Sequence, residues 1–376
     1  MKFLILGAKE FPVGASKGYD DLPSGGMEVY SQGLAKALRK QGHTPIIVTR
    51  SFGGKKFVKQ NGIHIHKVAW LKGFFLRNPS FNLSSFLRAR KIDYDACISN
   101  GVFASLAAIA LSKTNHKPVI ARPAGIAWVQ PQYNFAVKKI MRALENFAYS
   151  RADAVVFLSE EEQKTFKEKM GFLPENSCVI PTGVDVKKFQ RRAPAAKKRK
   201  KPGEQIIISV GRLVPLKGLG YLLEAMKSVD AKLLVVGKGP EENKLKKYVL
   251  ENSLEEKVFF LGEKDNEKEL PSLLKNADVF VLPSLTEGLP VALLEAMASS
   301  LPCLVTDIGL PVKNGKTALV VPPQNAKALS TGLRVLIHDK SLSKKIAKNG
   351  FLLIKKNFRW DSAAISYVKL ARGLTK

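Results

Sequence analysis

The chain has 376 residues, 45% apolar and 25% charged, with 61 Lys and Arg against 32 Asp and Glu for a formal charge of +29. That length exceeds one ordinary core and implies two domains of roughly 150–190 residues. The longest apolar run, 102–111, is far short of the ~20 residues that span a bilayer, and no signal peptide is expected at the N-terminus. The positive field would attract nucleic acid, an acidic membrane leaflet or phosphorylated small molecules, and charge alone does not choose among them. Cys97, Cys178 and Cys303 each lie beside strand-like residues without metal spacing. They read as small buried hydrophobes in a reducing, cytoplasmic compartment.

Residues 1–7 predict a first strand, followed by a Gly-, Pro- and Ser-rich loop over 8–26. Residues 27–41 show helical periodicity through Val29, Leu34, Ala37 and Leu38, with Gly42 as the stop, and 44–49 reads as the next strand. This unit opens a doubly wound sheet but lacks G-x-G-x-x-G, so no dinucleotide fingerprint is present. Gly25 and Gly26, just before the helix, suggest close approach of backbone to a ligand. Residues 57–69 predict a β-hairpin around Asn61-Gly62, with His64 and His66 as strand residues on one side. Between 71 and 91, Phe and Leu interleave with Lys and Arg. Such a stretch suits an anionic membrane surface or an ordinary core-facing helix with a basic outer face.

A strand at 93–99 is entered through Asp residues, and strand 118–122 puts Arg122 at a carboxyl edge, where α/β ligands bind. A helix over 135–150, strand 154–159, a charged helix over 160–170 and strand 178–181 follow. The segment 187–203 carries nine basic residues and no apolar pattern, and is expected to be a linker, or otherwise a contact for anionic lipid. Nucleic-acid binding would need stacking aromatics among those cations, and only Phe189 is there.

The strand–helix grammar then restarts with strand 206–211, helix 219–228, strand 232–237, helix 241–252, strand 258–262 and helix 270–276. The strand 277–282 runs into Pro283-Ser-Leu-Thr-Glu-Gly-Leu-Pro-Val-Ala-Leu-Leu-Glu-Ala-Met-Ala298. Strand, Gly/Pro loop and helix N-terminus in that order form an anion-binding arrangement, with Glu287 and Glu295 eight positions apart. Strand 302–306 and a last helix over 360–374 complete the pattern. Arg212 and Lys217 follow strand 206–211, where a forked guanidinium and an ammonium suit a diphosphate. Gly315-Lys-Thr317 is not a P-loop, because its glycine spacing is wrong and an apolar segment follows it. The expected fold is α/β, with two Rossmann-like doubly wound parallel-sheet domains facing a central cleft. Their bounds are 1–186 and 204–356, with 187–203 as linker.

Gly-Gly-Met-Glu28, Gly-His43, Pro-Thr-Gly-Val-Asp185, Gly-Arg212 with Lys217, Gly-Lys-Gly-Pro240, Asn-Ala-Asp-Val-Phe-Val-Leu-Pro-Ser284 and the Glu287/Glu295 pair occur in one order along nearly the whole chain. Together they resemble a GT-B glycosyltransferase of the retaining family 4 type. The resemblance implies transfer from a nucleotide diphosphate sugar with retention and with neither metal nor cofactor. Arg212 and Lys217 would hold the diphosphate, and Glu295 would accept the ribose hydroxyls. Glu287 would bind sugar hydroxyls beside the reacting carbon, as nucleophile or as stabiliser, with Gly288, Leu289 and Pro290 facing the donor. Gly262 and Glu263 would lie near the base, and Gly25 and Gly26 would close the cleft. The final helix, 357–376, would pack back onto the first domain.

Two departures stand out. Arg122 occupies a strand end where many relatives have His; it would either contact the sugar or acceptor, favouring an acidic or phosphorylated group, or be structural. The loop 306–315 is a shortened version lacking the usual Glu, and is expected to bear on donor choice. Asp93-Tyr-Asp95 is similar to the metal-binding triplet of another class of sugar transferases, but it precedes its strand instead of following one, so no metal site is assigned. The expected partners are a nucleotide-sugar donor, a lipid or glycan acceptor and an anionic membrane surface at the inner face of the cell membrane, with no nucleic acid. The alternatives are a soluble transferase making a disaccharide or polysaccharide, or a basic nucleic-acid-binding or inactive scaffold protein.

Overall fold

Apolar strands that alternate with helices cannot leave either face in water, so they are driven into parallel sheets covered on both sides. The computed structural model describes residues 1–11, 26–73, 76–125, 128, 134–190, 204–265 and 269–375. The chain divides into two units, Met1–Gly183 with Trp360–Lys376, and Val184–Arg359. The sequence reading put these breaks a few residues away, at 186 and 357. The backbone bond from Val184 N–H to the Phe358 carbonyl, 3.0 Å, joins those two residues within the second unit.

The first unit runs β1 (Lys2–Leu6), α1 (Gly26–Lys40), β2 (Thr44–Arg50), β3 (Phe57–Gln60), β4 (Ile63–Val68), α2 (Arg77–Ala89), β5 (Ala96–Asn100), α3 (Val102–Asn115), β6 (Val119–Arg122), α4 (Phe135–Arg151), β7 (Ala154–Phe157), α5 (Glu160–Met170) and β8 (Ser177–Val179). Its sheet has the order β3-β4-β2-β1-β5-β6-β7-β8. All neighbours are parallel except β3 and β4, the hairpin whose turn places Asn61 at φ 50° and Gly62 at φ 76°, as a type I′ turn requires. The core gathers Leu4, Leu6, Phe81, Cys97, Tyr149, Phe157 and Phe166, all fully or nearly fully buried. α3 has no counterpart in the sequence reading beyond its length as an apolar run.

The second unit runs α6 (Val186–Gln190), β9 (Ile206–Val210), α7 (Leu219–Met226), β10 (Lys232–Val236), α8 (Glu242–Glu251), β11 (Val258–Gly262), α9 (Glu269–Asn276), β12 (Val279–Leu282), α10 (Val291–Ala298), β13 (Cys303–Thr306), β14 (Leu319–Val321), α11 (Ala326–His338) and α12 (Lys340–Asn357). Its described strands are all parallel, in the order β11-β10-β9-β12-β13-β14. α6 corrects the linker expectation for 187–190. Phe189 is buried, and the Gln190 amide donates to the Ala298 carbonyl at 2.6 Å, so this turn belongs to the unit's core. The remainder of the basic run, 191–203, lies outside the described residues.

The last helix, α13 (Trp360–Leu374), belongs to the first unit and packs along α1. Tyr30 and Tyr367 share a buried hydroxyl–hydroxyl bond of 2.5 Å, and Trp360 meets Tyr30 edge-on at 5.6 Å. Gly33 makes room for that indole, since a Cβ there would fall 2.1 Å from the Trp360 ring. Lys40 and Asp361 add a salt bridge of 2.8 Å at the surface.

Candidate active site

In the second unit the strand order reverses between β9 and β12, so the loops leaving those two strands diverge and open a crevice at the carboxyl edge. The β9 loop makes a single 3₁₀ turn at Pro215–Lys217 and then enters α7 through Gly218 at φ 62°. A Cβ at Gly218 would lie 2.1 Å from the Pro283 carbonyl oxygen, so only glycine lets the two loops meet here. The Leu285 N–H donates to the Leu216 carbonyl at 2.8 Å and completes the stitch.

This stitch sets three polar side chains together. The Lys217 ammonium pairs with Oε1 of Glu287, and the Ser284 hydroxyl donates to the same oxygen at 2.8 Å. Oε2 of Glu287 receives no bond from the described residues, so a hydroxyl entering the crevice can donate to it. The Ser284 carbonyl is held from behind by the Thr306 hydroxyl. Arg212 and Lys217 both line a shallow recess with Gly211, Val236, Pro283 and Ser284. Arg212 is exposed, and its guanidinium has no bonding partner among the described residues. Two cations thus line one recess, and an immobilised carboxylate is bonded to one of them. Such an arrangement binds an anion and orients a polyol.

The other expected residues are placed as follows. Pro290 is extended and opens α10, Leu289 before it is buried, and Gly288 is exposed. Glu295 is a buried residue of α10, and neither it nor Glu263 lines the recess. Gly262 ends the edge strand β11 at φ 67°, where its carbonyl accepts from Gly237 N–H at 2.8 Å. Gly26 is the exposed first residue of α1, while Gly25 lies outside the described residues. The loop after β13 is mostly exposed from Asp307 to Gly315, with Asp307 N–H bonded to the Val321 carbonyl at 2.8 Å.

Arg122 sits at the carboxyl edge of β6, but its side chain turns inward. It is buried, with the guanidinium 4.0 Å over the Tyr30 ring and Nη1 3.5 Å from the Asn100 side-chain oxygen. Burial holds the Tyr30 phenol above its usual value, and Arg122 partly offsets this. A second basic cluster is not legible in the sequence because its members are 40 and 28 residues apart. Arg50, buried at the end of β2, bridges Glu10 at 3.0 Å and Asn78 at 2.9 Å and lies between the rings of Trp70 and Phe81. Beside it, burial and then the Arg50 guanidinium push the Lys9 ammonium below its ordinary value, against the pull of Glu28. Asp93 of the Asp-x-Asp triplet is bonded to Lys2, and Asp95 accepts the Lys2 N–H at 2.7 Å. Among the described residues no three His, Cys, Asp or Glu side chains group as metal ligands would.

Residues 24–188 match the family model of the family 4 glycosyltransferases, and residues 190–352 match that of glycosyl transferases group 1. The chain belongs to the group 1 glycosyltransferases. It is similar to the UDP-Gal:alpha-D-GlcNAc-diphosphoundecaprenol alpha-1,3-galactosyltransferase of Escherichia coli, at 35% identity over 201 residues. That match spans 49% of each chain, so the glycosyltransferase aligns with about half of this relative's length. An uncharacterized glycosyltransferase of Haemophilus influenzae is 28% identical over 85% of this chain and 88% of its own. The fold is that of sucrose-phosphate synthase from Thermosynechococcus elongatus, with a TM-score of 0.84, 22% identity and coverage of 99% and 98%. This glycosyltransferase therefore has the GT-B fold, and the crevice at β9 and β12 lies within the stretch that the group 1 model matches.

Proposed function

We propose that this glycosyltransferase moves a sugar from a nucleoside diphosphate sugar to a lipid-linked or envelope glycan acceptor at the cytoplasmic face of the membrane, with retention and without a metal. The observation that carries the reading is the convergence of Arg212, Lys217 and the fixed Glu287 carboxylate where the strand order of the second unit reverses. Transfer breaks the bond between the anomeric carbon and the diphosphate and makes one to an acceptor hydroxyl, whose proton passes to the departing diphosphate. Arg212 and Lys217 neutralise the charge that gathers on that leaving group, as a metal ion would elsewhere. Lys217 and Ser284 hold Oε1 of Glu287, leaving Oε2 to fix a sugar hydroxyl beside the reacting carbon.

The lipid-linked acceptor is supported by the diphosphoundecaprenol named for the Escherichia coli relative and by the net charge of +29. Retention rests on the resemblance carried by Glu287 and Glu295. Donor turnover by purified Arg212→Ala and Glu287→Ala tests the assignment, after a thermal-shift panel of nucleotide sugars has chosen the donor. Each variant should lose roughly 10²–10³-fold in turnover while its melting temperature holds. If both hydrolyse donor like the wild type, the site is wrongly assigned.

A further inference from the structure

Lys217 has one charge and two acceptors to serve. Its ammonium is paired with Oε1 of Glu287, and in the function proposed above it also neutralises a diphosphate. The two donors on Oε1 differ in how firmly they are placed. The Lys217 side chain is 24% exposed, at the end of a single 3₁₀ turn and on a flexible four-carbon stem. Ser284, the other donor, is wholly buried. An ammonium is drawn to whichever neighbour bears the greater negative charge. A hydroxyl has no net charge, so an arriving anion has little hold on it.

The backbone around Ser284 is fixed from two strands. Thr306, buried at the end of β13, donates its hydroxyl to the Ser284 carbonyl. The residues on either side of Ser284 are tied to the β9 loop. Leu285 N–H reaches the Leu216 carbonyl at 2.8 Å, and Gly218 closes against the Pro283 carbonyl. The hydroxyl that meets Glu287 is therefore set by the sheet, whatever occupies the recess. Arg212 is exposed and without a bonding partner among the described residues, so it is the cation that an entering anion meets first.

On the strength of the donor site assigned above, we propose that the Lys217–Glu287 pair is a latch opened by the donor's diphosphate. Ser284, backed by Thr306, is then the positioning residue that keeps Glu287 in place once Lys217 has left it. Arg212 takes up the diphosphate, which carries more charge than one carboxylate, and Lys217 turns from Glu287 to it. No covalent bond changes in this step. Oε1 keeps the Ser284 hydroxyl, so the carboxylate does not turn and Oε2 stays available to a sugar hydroxyl. Without Ser284 the same exchange would release Glu287 when its orientation matters, and the donor would bind well but react slowly.

Inorganic pyrophosphate presents the two phosphates without base or sugar, and its binding to the full chain can be read by calorimetry at physiological salt. Arg212→Ala should weaken it about tenfold or more. Glu287→Gln keeps an acceptor for Ser284 and removes the charge that competes for Lys217, so it should bind pyrophosphate about fivefold more tightly than the wild type. In a Lys217→Ala background the same change should tighten binding by less than about twofold. Ser284→Ala should leave pyrophosphate binding within about twofold. With the donor that the thermal-shift panel selects, it should lower kcat about tenfold while KM holds. Thr306→Val should lower kcat in the same way, and Thr306→Ser, which restores the hydroxyl, should recover it. The latch is overturned if Glu287→Gln tightens binding equally in both backgrounds, or not at all. The positioning role falls if Ser284→Ala turns over donor like the wild type or raises KM instead, or if Thr306→Ser fails to recover what Thr306→Val loses. Pyrophosphate binding that Arg212→Ala and Lys217→Ala both leave unchanged, or that the wild type lacks, would sink the diphosphate site itself and the latch with it.

Discussion

Both units are doubly wound sheets, and both close the point where strand order reverses with a glycine against a carbonyl. In the first unit a Cβ on Gly7 would fall 2.3 Å from the Asn100 oxygen, and in the second a Cβ on Gly218 would fall 2.1 Å from that of Pro283. What surrounds each glycine differs. In the second unit the cations are at the opening: Arg212 is exposed, and Lys217 borders a recess with a carboxylate beside it. In the first unit they turn inward, with Arg122 stacked under Tyr30 and Arg50 held between Trp70 and Phe81. The same topology therefore carries an anion-ready edge in one unit and cations turned inward onto aromatic rings in the other. Sheet order locates an edge, and side-chain burial decides whether that edge can act.

The sharpest way to break this contrast is to remove one cation from each unit. Lys217→Ala should lower donor turnover by roughly 10²–10³-fold, with the melting temperature changing by no more than a degree or two. Arg122→Ala should do the reverse. It removes a buried guanidinium and its stacking on Tyr30 and is expected to cost about 2 kcal/mol, or roughly 5 °C, while nucleotide-sugar binding by calorimetry stays at the wild-type level. If Arg122→Ala instead abolished transfer to acceptor in a protein as stable as the wild type, Arg122 would be a ligand contact and the first unit's edge would be open after all.

The sequence reached the second unit's site more directly than the first unit's interior. Arg212, Lys217 and Glu287 are legible because strand, loop and helix follow one another within a few residues, and local order already puts them at one edge. Arg122 is legible only as a strand-end cation. Its burial depends on Tyr30 from α1 and on α13 behind it, more than 200 residues later, which no local pattern reports. α3 was missed for a different reason. It is covered by the sheet on one side and touched by α2 and α4 on the others, so apolar residues fall all around it and leave no helical period to read. The sequence reading assigns no element between 322 and 359, although Leu329, Leu333, Leu336 and Ile337 carry the period of α11 openly. In α2 the leucines and phenylalanines share one spacing, and only the fold separates buried Phe81 from exposed Leu83 and Leu87.

A smaller effect follows from the distribution of histidine, four of the five lying in the first unit and His338 alone in the second. His66 on β4 is buried, and burial, then the Arg88 guanidinium and His64, push its pKa down from 6.5 to about 4. Arg88 donates to its Nδ1 through Nε at 3.2 Å, which requires the neutral ring with that nitrogen unprotonated. Between about pH 6.5 and 4 the unfolded chain therefore binds a proton that the folded chain refuses. The stability contributed by neutral His66 is complete above about 6.5 and drains away as pH falls through that window. His66→Gln keeps an acceptor for Arg88 and removes the titration, so the fall in melting temperature from pH 7 to pH 5 should be shallower than in the wild type. The loss should appear in the first unit, with donor binding by the second persisting to lower pH. Equal slopes for variant and wild type would mean that another group in the first unit governs its acid sensitivity, and that the His66–Arg88 bond tying β4 to α2 carries little of it.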